Sequence, residues 1–384
     1  MVPQNIQPAI LIETSEQLSK MVSDLNQFEM IGVDTESNSL FEYEERICLI
    51  QFSSSKIDYL VDSIVLQDLS PLHDLFANSN IQKIFHAAEY DLMCLKRDYS
   101  FVFNNIFDTM IASRILGLRS YGLSSLLEEY FQVSVDKKYQ RANWGKRPLS
   151  KEMLMYAQLD THFLIELRNI LSRDLIDQDK IDLANEDFKR IADVDAFVNN
   201  KNNDHYWRII KGNSLTSQQE SVLIELYYLR ENLAKQLNRP PFKVFSNQMI
   251  IDIAKKLPNE LKDLKNIDHF SQNLYQKYGE KIINAVKEGY GKSGNKRKYK
   301  PKPNPNYLRK YDALKRWRKF KGNELSVDSD IVLPKEHLEQ LAHITNCNLE
   351  NVQSAMENIP YRFNKFGLEI LSVIANEEKY ENSF

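Results

Sequence analysis

The sequence predicts an α/β domain followed by two all-α helical modules. Three observations predict it. Short apolar runs alternate with amphipathic stretches over residues 9–100, the order of elements in an α/β sheet. From Phe107 onward the apolar period becomes helical. Residues 214–289 and 307–375 are then helical throughout, on either side of a Gly-, Lys-, Pro- and Asn-rich stretch at 289–305 that has the composition of a linker.

In order along the chain, residues 9–12 read as a strand, and Ser15 reads as the N-cap of a helix running to Leu25. Residues 30–34 are the central strand, an apolar run that ends abruptly at Asp34. Residues 47–52 and 57–61 are two more strands, joined by a Ser-rich turn as in a hairpin. A helix at 69–76, a strand at 81–85 and a helix at 89–98 follow, a pattern that fits a sheet with antiparallel and parallel parts. Helices are expected at 108–116 and 122–131, with one long helix from Ser150 to about Asp177. A basic loop carrying aromatics, residues 137–148, precedes that helix. Residues 178–212 are polar and charged, with an Asn-rich patch at 199–203, and a domain boundary falls in their second half. The expected bounds are 1–195 for the α/β domain and 210–290 and 306–378 for the modules, whose similar layouts suggest a repeat.

Composition narrows the function classes. A hydrophobic content of 42% with 19 Phe and 19 Tyr fills cores without disulfides. The formal net charge of −3 gives no overall push toward nucleic acid, so any such signal is local. Cys48, Cys94 and Cys347 lie far apart in apolar contexts and read as reduced core cysteines. Residues 1–10 lack a basic segment followed by an apolar one, and no stretch reaches 18 uninterrupted apolar residues. A cytoplasmic setting away from the membrane is expected, with the chain as a monomer.

Chemistry concentrates in a few acids. Residues i and i+2 of a strand point to the same side, so Asp34 and Glu36 project together from the end of the central strand. By itself the pair also suits two surface acids at a strand end. Held close, two carboxylates call for a cation, and hard divalent ions take oxygen ligands. His86-Ala87-Ala88-Glu89-Tyr90-Asp91 follows a strand and opens a helix, with Asp91 in the first turn. Tyr156 and Asp160 are four residues apart inside the long helix and share a face. Asp108 reads as an N-cap. His86 suits either a substrate contact or a strand-end histidine satisfied by backbone, and Lys138, Gln140, Trp144 and Arg147 suit either phosphate contacts or an ordinary solvated loop. From Tyr290 to Lys321 nine lysines and four arginines stand against one aspartate, interleaved with Tyr299, Tyr307, Tyr311, Trp317 and Phe320. Such a mix suits phosphate neutralisation and base stacking.

Asp34-x-Glu36, then Asp91, then Tyr156-x-x-x-Asp160 resembles the three motifs of the four-acid DnaQ-like 3′-5′ exonuclease superfamily, in its tyrosine-bearing branch. Cys48-Leu49-Ile50-Gln51, Phe107-Asp108-Thr109 and Gly122-Leu123-Ser124-Ser125-Leu126 are similar to ribonuclease D over roughly residues 10–175. The two helical modules resemble its helicase-and-ribonuclease-D C-terminal (HRDC) module, here twice. The resemblance implies a ribonuclease H-like α/β fold and a metal-dependent 3′-5′ exoribonuclease that releases 5′-mononucleotides, trimming tRNA precursors or other structured RNA with a free 3′ hydroxyl. It implies two divalent ions, Mg²⁺ or Mn²⁺, held by Asp34, Glu36, Asp91 and Asp160, with Tyr156 orienting the attacking water. A DNA exonuclease of the same superfamily and an inactive nucleic-acid-binding protein are the rival readings. Shortening the chain after residue 290 is expected to weaken RNA binding and spare hydrolysis of short oligomers.

Overall fold

The computed structural model describes residues 6–197, 205–268, 270–292 and 304–379. Its elements are β1 (Ile10–Ile12), α1 (Ser15–Leu25), β2 (Met30–Ser37), β3 (Ile47–Ser53), β4 (Asp58–Val61), α2 (Leu72–Ala77), β5 (Gln82–Phe85), α3 (Glu89–Tyr99), β6 (Ile106–Asp108), α4 (Thr109–Leu116), α5 (Leu123–Phe131), α6 (Lys151–His162), α7 (Leu164–Asp177) and α8 (Ile181–Ala192). The helices α9 (Tyr206–Ile210), α10 (Ser217–Gln236), α11 (Asn247–Lys256) and α12 (Gln272–Gly291) follow. The last five are α13 (Pro305–Leu325), α14 (Ser329–Val332), α15 (Lys335–Ala342), α16 (Leu349–Ala355) and α17 (Pro360–Lys379).

The six strands form one sheet in the order β1-β4-β3-β2-β5-β6. The strands β2, β3 and β4 are antiparallel neighbours, whereas β2 with β5, β5 with β6 and β1 with β4 are parallel. This is the mixed sheet that the sequence pattern implies. Every residue of β3 is buried, as in a strand covered on both faces. The main core gathers Leu18, Val33, Ile50, Phe52, Ile84 and Leu171, among others.

Five local readings change. The cap of α1 is Thr14, not Ser15: its hydroxyl accepts from the Gln17 amide, and the Gln17 side chain closes the capping box. The helix expected at 69–76 starts only at Leu72, after Pro71. A short strand, β6, precedes α4, because residues 106–108 complete the parallel edge against β5. The long helix from Ser150 divides at Phe163 into α6 and α7. No proline or glycine causes the break. It falls where His162 Nδ1 meets Asp58 at 2.7 Å and Thr161 Oγ1 meets Ser53 Oγ at 2.7 Å, so tertiary bonds override local helix preference. Finally, the polar stretch after 178 contains α8, an amphipathic helix that buries Leu183, Ala184, Phe188 and Ile191.

Among the described residues the chain forms two compact units. One holds the sheet, α1–α8 and the helices α13–α17. The α13–α17 group has its own core of Leu314, Leu338, Leu341, Val352, Met356 and Ile370, among others. The other unit holds α9–α12 and residues 38–46. Its core includes Leu223, Leu226, Ile250, Ile253, Ile282 and Val286. The 38–46 segment is fastened inside it: the Tyr43 hydroxyl donates to Glu231 at 3.3 Å, the Tyr43 amide to Asn238 Oδ1 at 3.2 Å, and Lys243 sits 4.0 Å from the Phe41 ring centroid. The Asn-rich patch at 199–203 and most of the expected linker at 289–305 lie outside the described residues.

Candidate active site

The central strand β2 places its acids by alternation. Gly32, Asp34 and Glu36 share one face. They stand opposite Ser53, Gln51 and Leu49 of β3 on that face. Helix α6 lies over it. A Cβ on Gly32 would stand 2.8 Å from the Thr161 carbonyl oxygen and 3.3 Å from the Leu164 Cβ, so only glycine lets the end of α6 approach this closely. That approach brings Asp160, the residue before Thr161, to Asp34. Ser150 caps α6, its hydroxyl accepting from the Met153 amide at 3.2 Å, and the one-turn spacing sets Tyr156 beside Asp160.

The other face of β2 recruits the fourth acid. Thr35 points away from Asp34, and its hydroxyl donates to the Asp91 carboxylate in the first turn of α3. The turn before α3 is bent at Ala87, whose φ of +64° is unusual for a residue with a side chain. Asp108 holds that turn. Its carboxylate accepts from the amides of Ala87 and Ala88 at 3.2 and 2.7 Å, and from those of Met110 and Ile111 at 2.8 and 3.0 Å. It is the N-cap of α4 that the sequence suggests, and it also steadies the approach to Asp91.

Asp34, Glu36, Tyr156, Asp160, His86 and Gln140 all line one cavity of about 390 Å³. The carboxylates are half-buried and repel one another across it. Burial, then Asp91, Asp160 and Glu36, hold Asp34 well above the usual carboxylate range. Glu36 is pushed up to about 10, by burial first and then by Asp160 and Asp91. Burial raises Asp91 to about 7 against the Thr35 hydrogen bond. Burial also raises Asp160, against a hydrogen bond from Tyr156, and Asp91 adds to the rise. The Tyr156 phenol is itself pushed up, by burial and then by Asp160, Glu36 and Asp34, so it stays protonated and can donate. This suits orientation of a water, not proton abstraction.

Among the described residues, no three acidic, His or Cys side chains close into a ready ligand cage. The donor set is nevertheless all carboxylate oxygen around excess negative charge, the chemistry that hard divalent cations fit. A cation there would relieve the repulsion that raises these acids.

The remaining sequence-predicted residues divide. His86 lines the cavity and is also satisfied from behind. The Thr109 hydroxyl donates to the Phe85 carbonyl at 3.0 Å, so at 2.9 Å it accepts from His86 Nδ1. Burial lowers His86 to about 4, so the ring is neutral with Nε2 as its acceptor. Lys138 does not line this cavity. It pairs with Asp136 at 3.0 Å and borders a neighbouring cleft, and Lys137 lines the cavity instead.

Trp144 and Arg147 correct the loop reading. Trp144 is 1% exposed, packed under Tyr156 with ring centroids 6.1 Å apart, so it cannot stack on a base. The Arg147 guanidinium pairs with buried Asp62, and it donates to the carbonyls of Cys48 and Trp144 at 2.8 and 2.7 Å. It fastens the basic loop to β3 and β4. The later basic stretch is also partly spent on structure. Lys310 Nζ donates to the Ile344 carbonyl at 2.7 Å, Arg318 to the Leu333 carbonyl at 2.9 Å, and Lys321 pairs with Glu369 at 3.0 Å. Tyr307, Tyr311 and Trp317 pack against the α13–α17 core, and Phe320 stays 67% exposed. Tyr299 lies outside the described residues.

Thr35 is a contact that the sequence reading missed, and Gln51, quoted there only within a motif, faces Asp34 across the sheet. Thr35 left no signal, because the middle residue of Asp-Thr-Glu looks like a spacer. Gln51 is fully buried directly across from Asp34, and neither end of its amide finds a protein partner. A buried, unpaired amide costs about 1–3 kcal/mol. Gln51→Met is therefore expected to raise the melting temperature, measured by differential scanning fluorimetry. An unchanged or lower value would mean that the amide is already satisfied.

Comparison with known proteins matches two parts of the chain to known families. The 3′-5′ exonuclease family matches residues 9–176, and the HRDC domain matches residues 219–286. The ribonuclease D of Desulfotalea psychrophila is 30% identical, over 73% of this chain and 76% of that protein. The exosome complex exonuclease RRP6 of Saccharomyces cerevisiae is 32% identical, over 66% of this chain and 36% of that protein. Among solved structures, the catalytic core of RRP6 from Trypanosoma brucei aligns with a TM-score of 0.66 at 27% identity, covering 76% of this chain and 83% of that one. The chain spans only 30% to 36% of the first curated relatives it matches.

Proposed function

The chain belongs to the ribonuclease D family of 3′-5′ exonucleases, and on that premise we propose that it is a divalent-metal-dependent 3′-5′ exoribonuclease. Its substrates are tRNA precursors and other structured RNAs with a free 3′ hydroxyl, from which it releases 5′-mononucleotides. The observation that carries this reading is the convergence of Asp34, Glu36, Asp160 and Tyr156 on one cavity, with Asp91 held beside it by Thr35.

Asp34, Glu36, Asp91 and Asp160 would hold two ions, Mg²⁺ or Mn²⁺. When bound, such ions supply an activated water and stabilise the leaving 3′ oxygen. The chain's own groups do the rest. Tyr156 is backed by Trp144, and its single O–H, given to Asp160 in the metal-free protein, would turn to orient the water in line with the scissile phosphate once Asp160 is engaged by a cation. Neutral His86 offers Nε2 to a sugar hydroxyl, and Lys137 and Gln140 sit where phosphate oxygens enter. The α9–α12 unit, and α13–α17 as a second HRDC-like module, grip the RNA body. This gives domain bounds of 1–195, 210–290 and 306–378. No described helix is long and apolar enough to cross a membrane. A monomer acting in the cytoplasm, where such RNAs mature, completes the reading.

The test is a time course on a 5′-labelled RNA and its DNA equivalent, with and without EDTA. The expected result is a chelator-sensitive ladder that shortens from the 3′ end of RNA and much less from DNA. Equal digestion of both would make the protein a general exonuclease. Binding without digestion under any added divalent metal would leave only a nucleic-acid-binding protein.

A further inference from the structure

The segment between α4 and α5 borders two cavities. Gly122, Leu123 and Ser124 wall the catalytic one. Gly117, Arg119 and Tyr121, just before them, wall a second of about 470 Å³. Its opposite wall is the end of α13 and the turn after it, with Asn323, Ser326 and Asp328. The two walls meet closely. Gly117 has φ +80°, and a Cβ there would stand 2.4 Å from the Ser326 carbonyl oxygen. Both walls belong to the same compact unit.

The second cavity is built around one aromatic ring. Tyr121 is 36% exposed. The Arg114 guanidinium lies 5.7 Å from its ring centroid. Arg114 is held in turn by Asp330 at 2.7 Å and Asp328 at 3.1 Å. A chain of fixed groups from the second helical module thus supports the Tyr121 ring, with Arg114 shared between the two aspartates. Arg119 is exposed on the same wall and adds positive charge. An aromatic platform beside a basic group, one residue along the backbone from the catalytic wall, is what a single-stranded nucleic acid needs: a face for a base and a charge for a phosphate.

We propose that Tyr121 and Arg119 form a subsite for the nucleotides immediately 5′ of the terminal one, the base stacking on Tyr121 and the phosphate meeting Arg119. This rests on the exoribonuclease reading above. It gives the second helical module a part in the substrate groove, through Asp328 and Asp330 acting on Arg114. It also selects single-stranded 3′ ends, because a base must leave its partner to lie on the ring.

The experiment compares two substrates on the full chain with the divalent metal present. One is a 5′-labelled single-stranded 10-mer RNA. The other is the methyl ester of uridine 5′-monophosphate, which has the terminal nucleotide and only a methyl group where the penultimate nucleoside would stand. Tyr121→Ala and Arg119→Glu are expected to raise KM for the 10-mer roughly tenfold, as loss of a base-stacking or phosphate contact does. Tyr121→Phe, which keeps the ring, is expected to retain the wild-type KM. Ester hydrolysis should stay within twofold in all three. An unchanged KM for the 10-mer in Tyr121→Ala and Arg119→Glu overturns the subsite. So does an equal loss on the ester, which would place these residues in support of the catalytic centre. A wild-type protein inactive on both substrates would instead remove the exoribonuclease reading, and the subsite with it.

Discussion

Asp34→Asn and Asp160→Asn are each expected to lower turnover by at least about 10²-fold, the scale of losing one key electrostatic contact, while raising the melting temperature of the metal-free protein. The two effects share a cause. Burial first holds the four acids above their ordinary range, and neighbouring carboxylates add to it, those of the site for Asp34, Glu36 and Asp160 and Asp108 for Asp91. A carboxyl whose folded-state pKa lies above its unfolded one keeps more protons in the native state, so stability falls as pH rises through the window between them. For Glu36 that window runs from 4.5 to about 10, and for Asp91 from 3.8 to about 7. Neutral asparagine removes part of the repulsion, so the variants should gain most over wild type at neutral and alkaline pH in EDTA. Adding Mg²⁺ or Mn²⁺ should raise the wild-type melting temperature and have a smaller effect on the variants. Scanning fluorimetry at several pH values, with and without metal, reads this independently of activity. Near wild-type turnover, or a metal-induced shift equal in wild type and variants, would sink the assignment.

Arg362→Ala is expected to destabilise the sheet-bearing unit by about 3–5 kcal/mol, the cost of stranding a buried charge. The Arg362 side chain is 0% exposed. It donates to Glu186 at 2.6 Å, to Asp187 at 2.8 Å and to the Ile331 carbonyl at 2.7 Å. The Tyr361 amide also donates to Glu186 at 2.6 Å. These bonds tie α17 and α14 of the second module to α8 beside the sheet. Without the guanidinium, two carboxylates stay buried with no counter-charge of comparable geometry. The expected fall in melting temperature is of the order of 10 °C. Adding Glu186→Gln and Asp187→Asn to Arg362→Met should recover much of it, because no buried charge is then left alone. The same packing replaces one sequence expectation. A chain shortened after residue 290 loses Arg362 and the cover over Glu186 and Asp187, so it should lose stability and hydrolysis together. A shortened chain with an unchanged melting temperature would overturn that.

Much of the site was legible in the sequence because its spacing is local. Asp34 and Glu36 follow strand alternation, Tyr156 and Asp160 one helical turn, and Asp91 the first turn after a strand. Those periodicities are properties of the backbone and need no partner to be read. The basic loop was harder. Trp144 and Arg147 look like Lys138 in sequence, polar or aromatic residues in a charged loop. Burial separates them, because Arg147 has Asp62 to neutralise it and Trp144 has Tyr156 to pack against. Both partners are remote in the chain. Helix α8 was hidden for a similar reason, since Glu186 and Asp187 read as solvated charges until Arg362 covers them.

By itself the sequence determined most of the order of strands and helices, short of β6, α8 and the break between α6 and α7, and the spacing of four acids and a tyrosine that points to the family. Only the tertiary structure decided how those groups meet. Gly32 lets α6 descend on the sheet, Thr35 turns back to hold Asp91, and Arg362 joins the second helical module to the sheet. Each is a contact between residues far apart in the chain. A one-dimensional pattern records which faces are apolar or charged. It does not record which two faces will touch, and burial, pairing and pKa follow from that.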